Sequence, residues 1–298
     1  MSDVQARNML PSHAGQTREP FIMVAVGQQG VGKTYQNEII IKQTVNGTQV
    51  RREDGTLHIN RPRRVLIMDA NDEYTKIKAI HLSHIRLFSA HQKIEARRVR
   101  PYRDNGQPMN LDDMSRALAT ILENYRGGLL VVEDLNAYTG DNMKQDLIGA
   151  LCTVRHKAVD VLISLQGLGR ITPKLWQNIR WLRMHKVQEA VAKHAKKFEE
   201  KEKYLTIAEN LINWHYERGN ERFFLNIDCR SGQMFGRYSP AQFREAALSY
   251  IYANRRSEID TLLIQRNLGS GALKYTETEA IKIALQSITK SFSQYSSK

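Results

Sequence analysis

The sequence predicts an α/β fold with a mostly parallel, buried sheet flanked by helices, and three observations predict it. Short apolar runs alternate with amphipathic stretches along most of the chain. The runs are continuous rather than alternating apolar and polar, the pattern of strands covered on both faces. The first run leads directly into a glycine-rich loop and then a helical pattern, the order in which a phosphate-binding turn is built.

Taken in order, residues 1–19 show neither helical nor strand period and carry Pro11 and Gly15, so they read as a flexible arm before a domain expected over 20–239. Strands are predicted at Phe21–Val26, Arg64–Asp69, His84–Phe88, Leu129–Val132 and Val161–Leu165, with a further one at Trp181–Val187. Asn110 stands as an N-cap before a helix whose inner face carries Met114, Leu118, Ile121, Leu122 and Tyr125, and Gly127 with Gly128 ends it. A second helix is expected from Met143 to about His156. Leu147, Ile148 and Leu151 would turn inward, and Arg155, His156 and Lys157 would complement its C-terminal dipole. Residues 193–217 alternate charge signs before becoming amphipathic, which reads as a solvated surface helix. Arg222–Asp228 and Gln233–Ser239 flank a glycine-containing turn, the pattern of a β-hairpin. Residues 240–298 read as a helical C-terminal extension, interrupted near Gly269–Gly271, whose apolar residues pack on the core or on a neighbouring subunit.

Composition narrows the function. The 298 residues are 41% hydrophobic and 25% charged, ordinary for a globular protein. Two cysteines, Cys152 and Cys229, exclude a disulfide framework or a CxxC metal site and read as buried, reduced thiols. No run of eighteen apolar residues suggests a membrane span, and the polar start lacks a signal peptide's apolar stretch. Forty-four lysines and arginines against 31 acids leave a net charge of +13, which favours a polyanionic partner such as nucleic acid. Arg61, Arg63 and Arg64 form one cluster; Arg97, Arg98, Arg100 and Arg103 form another. A third, Lys193, Lys196, Lys197, Lys201 and Lys203, is interleaved with Glu199, Glu200 and Glu202 and reads as a solvated helix. Basic residues facing a pore would bind phosphates without regard to sequence.

The chemistry-bearing motif is GQQGVGKT: Gly27, Gln28, Gln29, Gly30, Val31, Gly32, Lys33 and Thr34. Its glycines adopt angles closed to other residues, so that successive N–H groups converge on phosphate at a helix N-terminus. Lys33 is then expected on the β- and γ-phosphates of ATP and the Thr34 hydroxyl on Mg²⁺. The strand before Glu133 and Asp134 aims both carboxylates at the same edge. One would reach Mg²⁺ through water and the other would orient or deprotonate the attacking water, and the residues leave open which does which. Gln166, just past another buried strand, is placed to contact the γ-phosphate or that water. Arg155, Arg170, Arg180 and Arg183 surround this region in sequence and are candidates to reach a neighbour's γ-phosphate.

GQQGVGKT, the Asp69–Glu73–Tyr74 pattern in MDANDEY, the LLVVED strand and the RHKAVDVLISLQ segment together resemble the FtsK–HerA superfamily of P-loop ATPases, and especially genome-packaging ATPases of tailless or membrane-containing viruses. The resemblance spans about 21–187. It implies a RecA-like core and a homo-oligomeric ring of six subunits driving double-stranded DNA through a central pore, with a viral portal or capsid vertex protein as a further partner. It makes Arg155 the arginine finger and Gln166 the sensor. Many members end the second acidic strand Asp-Glu, whereas this chain reads Glu-Asp, so Glu133 goes to the metal and Asp134 to the water by position alone. The alternatives are a cellular or plasmid HerA-like motor and an assembly protein of the zonula-occludens-toxin type. The expected location is host cytoplasm or virion if viral, and otherwise cytoplasmic.

Overall fold

A computed structural model describes residues 19–51, 57–135, 145–198 and 201–293, without the side chains of residues 58, 145–147, 155 and 195. The arm expected over 1–19 lies, but for Glu19, outside the described residues. Two compact units divide at Arg183 and Met184.

The first unit is built on β1 (Ile22–Val26), β4 (Val65–Met68), β5 (Ala96–Val99), β6 (Gly128–Val132), β7 (Val159–Leu165) and β8 (Ile179–Met184), in the order β8-β1-β7-β6-β4-β5. Pairing is parallel between β1 and β7, β7 and β6, β6 and β4, and β4 and β5. Every residue of β1, β4, β6 and β7 is buried, which is why these strands read as unbroken apolar runs. Each Val, Leu or Ile so covered contributes about 1.5–3 kcal/mol relative to exposure. A separate antiparallel pair, β2 (Thr48–Arg51) with β3 (Leu57–Asn60), stands outside this sheet. The helices around the sheet are α1 (Lys33–Asn46), α2 (Ile85–Ala90), α3 (Leu111–Asn124), α4 (Gln145–Thr153) and α5 (Pro173–Asn178). Asn110 caps α3 through a reciprocal box with Asp113, and Leu118, Ile121, Leu122 and Tyr125 are buried as the spacing predicts. The result is a mostly parallel central sheet flanked by helices.

Four sequence expectations are corrected. His84–Phe88, expected as a strand, closes a 3-10 turn and opens α2, burying Ile85 and Phe88 three residues apart while Leu87 is 68% exposed. A five-residue run with three apolar residues is too short for its period to separate helix from strand. The strand that the sheet uses is β5, disguised by Arg97 and Arg98; as the last strand in the order it has one edge without a partner strand. Expected to run to about His156, the second helix is α4, which ends at Thr153 in a 3-10 turn over Val154–Lys157. There Lys157 Nζ donates to Leu122 O (2.6 Å), so it caps the C-terminus of α3 rather than its own helix. Ile148 and Leu151 are buried as predicted, while Met143 and the side chain of Leu147 lie outside the description.

The fourth correction lies in the second unit. Helix α6 (Glu202–Glu217), within the stretch expected to be solvated, buries Tyr204, Leu205, Ile207, Ala208, Leu211, Ile212 and His215. Its charged residues occupy the other face, which dominates a reading by charge alternation. β9 (Leu225–Asp228) and β10 (Met234–Phe235) form the predicted antiparallel hairpin. Helices α7 (Pro240–Ala253) and α8 (Glu277–Phe292) form the helical extension. Both are capped by reciprocal boxes, at Ser239 and Thr276. Cys152 and Cys229 are buried and are not joined in a disulfide. Among the described residues no helix is long and apolar enough to cross a membrane.

Candidate functional site

The loop Gly27–Gly32 leaves the C-terminal end of β1, where Gly27 N donates to Leu165 O (3.3 Å) and ties its start to β7. Gly30 and Gly32 have φ of 86° and 88°, angles that an L side chain resists, whereas Gly27 has an ordinary φ. Two of the three glycines are therefore required for conformation. Gly32 is the N-cap of α1 and makes no side-chain cap, so the first N–H groups of that helix are left pointing out of the loop. With no acid in the first turn, the positive end of the helix dipole is uncompensated, which suits an anion.

Lys33 Nζ donates to Gly27 O (2.5 Å) and Gln28 O (2.8 Å), holding the ammonium over the loop. Burial pulls its pKa below the usual value, opposed by the charges of Glu133 and Asp134. Thr34 Oγ1 donates not to either of those acids but to Glu73 Oε2, at 3.0 Å.

Glu133 follows β6 and is 6% exposed. Both donors that reach it converge on Oε1: the Tyr74 hydroxyl and Asn37 Nδ2 at 2.6 Å. Burial, then the Glu133 charge, pushes the Tyr74 phenol far up, so it stays a donor. Asn37 also donates to Ser164 Oγ (2.9 Å) and accepts from Arg183 Nη2, which lies 3.4 Å from Lys33 O. Arg183 is 1% exposed, and burial lowers its pKa to about 10 against the pull of Glu133. Asp134 has φ of 44°, in the left-handed region that aspartate enters more readily than bulky residues do. Its Oδ2 accepts from Gln166 Nε2 (3.3 Å); its Oδ1 is buried with no hydrogen-bond partner among the described residues.

A second set of charges shapes the loop after β4. Asp69, fully buried, accepts from Glu73 N (2.9 Å) on Oδ1 and from Tyr74 N (3.1 Å) on Oδ2. Arg98 Nη1 clamps Oδ2 at 2.8 Å and also bonds Asp72, which pairs with Arg100 (3.0 Å). One buried carboxylate thus carries Glu73 to Thr34 and Tyr74 to Glu133.

The structure brings Lys33, Thr34, Glu133, Asp134 and Gln166 to one edge of the sheet, with the loop residues Gln28, Gln29 and Val31 in the same turn. Arg155 lies in the turn after α4, its side chain outside the description. Arg183, a candidate to reach a neighbour, is buried beneath α1 and cannot do so. In the basic cluster read from sequence, Arg97, Arg98, Arg100 and Arg103 pair with Glu95, Asp69, Asp72 and Asp113. Arg63 pairs with the buried Asp160 (2.8 Å). Sequence reasoning missed Asn37; the signal available was its place four residues before Ile41, the other buried residue of α1.

No known family model matches the chain, and no curated protein matches it in sequence. Among solved structures, the genome packaging NTPase B204 from Sulfolobus turreted icosahedral virus 2, in complex with AMPPCP, is similar over 73% of this chain and 97% of its own, at 16% identity and a TM-score of 0.46. The N-terminal domain of zonular occludens toxin from Neisseria meningitidis is similar over 57% of this chain and 78% of its own, at 17% identity and a TM-score of 0.32. The Legionella pneumophila ATPase DotB is similar over 56% of this chain and 41% of its own, at 14% identity and a TM-score of 0.31.

Proposed function

We propose that this chain is an ATPase that works as a homo-oligomeric ring to move double-stranded DNA, in the manner of a viral genome-packaging motor acting in the virion or host cytoplasm. The observation that carries the ATPase reading is the meeting of a phosphate-shaped loop with two successive acids and a glutamine at the C-terminal edge of a parallel sheet, where such folds bind ligands. The N–H groups at the start of α1 and the Lys33 ammonium would receive the β- and γ-phosphates. Asp134, with one oxygen held by Gln166 and the other buried without a described partner, is the carboxylate to orient the attacking water. Glu133, fixed by Tyr74 and Asn37, is the acid of the metal side.

Mg²⁺ fits the donor set, which is hydroxyl and carboxylate oxygen. Thr34 and Glu133 would hold it, and when bound it neutralises charge developing on the transferred phosphoryl group.

Duplex DNA as cargo is supported by the net charge of +13 and the resemblance of the motifs to DNA-pumping ATPases. The test is steady-state ATP hydrolysis with and without random-sequence duplex at two salt concentrations, with Lys33→Ala as the blank. Stimulation that fades with salt and disappears in the variant is expected. Turnover indifferent to DNA would refute the motor, and no Lys33-dependent turnover would refute the ATPase. For the ring, doping Arg155→Ala subunits into wild type should depress activity more than in proportion; strictly proportional loss would count against a finger acting between subunits.

A further inference from the structure

Resting on the reading of this site as one for MgATP, we infer that Glu73 is a metal-side carboxylate, acting with the Thr34 hydroxyl on the ion that accompanies the nucleotide. The motif of two acids after β6 gives no reason to look for it, since Glu73 comes from the loop after β4. Four observations carry the assignment. First, the hydroxyl expected on the ion already faces a carboxylate, and that carboxylate is Glu73 Oε2 at 3.0 Å. Second, Glu133 comes to the metal side with one oxygen already committed, since Oε1 takes both the Tyr74 hydroxyl and Asn37 Nδ2, so a further carboxylate is needed beside it. Third, Glu73 is exposed, so a hydrated ion can reach it.

The fourth observation separates this assignment from a surface hydrogen bond of convenience. Glu73 N is held by Asp69 Oδ1 at 2.9 Å, and Asp69 is itself fully buried and clamped by Arg98 at 2.8 Å. Burying an ion pair to fix a solvent-facing glutamate gains little stability, because desolvation offsets most of the attraction. It does fix where Glu73 stands relative to Thr34, and it fixes the adjacent Tyr74 on Glu133 through the same carboxylate. A small ion with strict octahedral demands, bound by one or two carboxylates beside phosphate oxygens, needs that placement. The bracket Asp69–Glu73–Tyr74 therefore sets both acids of the metal side from one loop.

The test reads Mg²⁺ directly rather than turnover. A fluorescent ATP analogue is bound to the full chain in EDTA and then titrated with Mg²⁺, for wild type, Glu73→Gln, Thr34→Val and the double variant. Glu73→Gln is expected to raise the Mg²⁺ half-saturation by about 10-fold or more while leaving metal-free nucleotide affinity within about twofold. The double variant is expected to cost less than the two single effects combined, because both groups act on one ion. Glu73→Gln with wild-type Mg²⁺ half-saturation would overturn the inference. Weakening of nucleotide binding that is equal with and without Mg²⁺ would overturn it too, since that pattern belongs to altered loop shape. Wild type that binds nucleotide without any response to Mg²⁺ would overturn the MgATP reading, and this inference with it.

Discussion

Replacing Asn37 with alanine will destabilise the first unit by about 3–5 kcal/mol, because it takes a hydrogen bond from two buried charges at once. Asn37 Nδ2 donates to Glu133 Oε1 at 2.6 Å and to Ser164 Oγ at 2.9 Å, and its Oδ1 accepts from the buried Arg183. A hydrogen bond to a charged group contributes about 1.5–3 kcal/mol, and two are lost. Tyr74 still serves Glu133, which keeps the total below the sum of the maxima. The assay is guanidinium unfolding followed by a probe in the first unit. With an m-value of about 4 kcal/mol/M, the midpoint falls by about 1 M. Arg183→Met closes a double-mutant cycle: once the guanidinium is gone, removing Asn37 should cost markedly less than it does in wild type. A loss below about 1 kcal/mol in Asn37→Ala, or single effects that add within about 0.5 kcal/mol, would refute the hub.

Arg98→Met leaves Asp69 buried without its cation and is expected to cost about 3–5 kcal/mol in thermal or chemical melts, whereas Arg100→Ala, which removes an exposed partner of Asp72, is expected to melt close to wild type. The Asp72 carboxyl sits below its ordinary 3.8, held first by the hydrogen bond from Arg100 and also by Arg98. Because the folded value is the depressed one, the stabilisation is complete above 3.8 and is lost as pH falls through the folded value. Acid unfolding of Asp72→Asn should therefore be less steep than that of wild type below about pH 4, and equal slopes would count against the pairing. Arg61 is exposed, unlike its neighbours Arg63 and Arg64, which bond Asp160 and His91. If it meets DNA, Arg61→Ala should reduce the salt slope of duplex affinity by about 1 without changing sequence preference, and an unchanged slope would remove it from the contact surface.

Legibility in the sequence followed burial on both faces. β1, β4, β6 and β7 are covered above and below, so their apolar runs had only one interpretation, and the loop after β1 carried its own glycine spacing. The two acids after β6 and the glutamine after β7 were legible because a buried strand ends where its side chains can first afford charge. β5 was illegible because Arg98, buried in the strand, is satisfied by an acid distant in sequence: it reaches Asp69, twenty-nine residues away. A run such as Ala96–Arg100 looks like a cationic surface until its partners are placed.

The same cause explains why the site was read as a loop plus a strand end and not as a connected whole. Asn37, Tyr74, Arg98 and Arg183 come from four separate stretches of the chain; Asn37 and Arg98 carry no signal of the site in sequence, and Tyr74 and Arg183, singled out there, carry none of the partners they meet. Their function is relational: Arg183 balances Glu133 through Asn37, while Arg98 balances Asp69, which sets Glu73 and Tyr74. Basic residues here divide into those that neutralise the site's own buried acids, such as Arg98 and Arg183, and those at exposed positions, such as Arg61. The net charge of +13 already includes both sides of every internal pair, so it survives this division. In the cluster Arg97, Arg98, Arg100 and Arg103, however, each residue has an acid within 3.0 Å. Mutagenesis guided by that run would mix Arg98, whose loss strands a buried acid, with exposed residues such as Arg100, and would mistake loss of fold for loss of DNA binding.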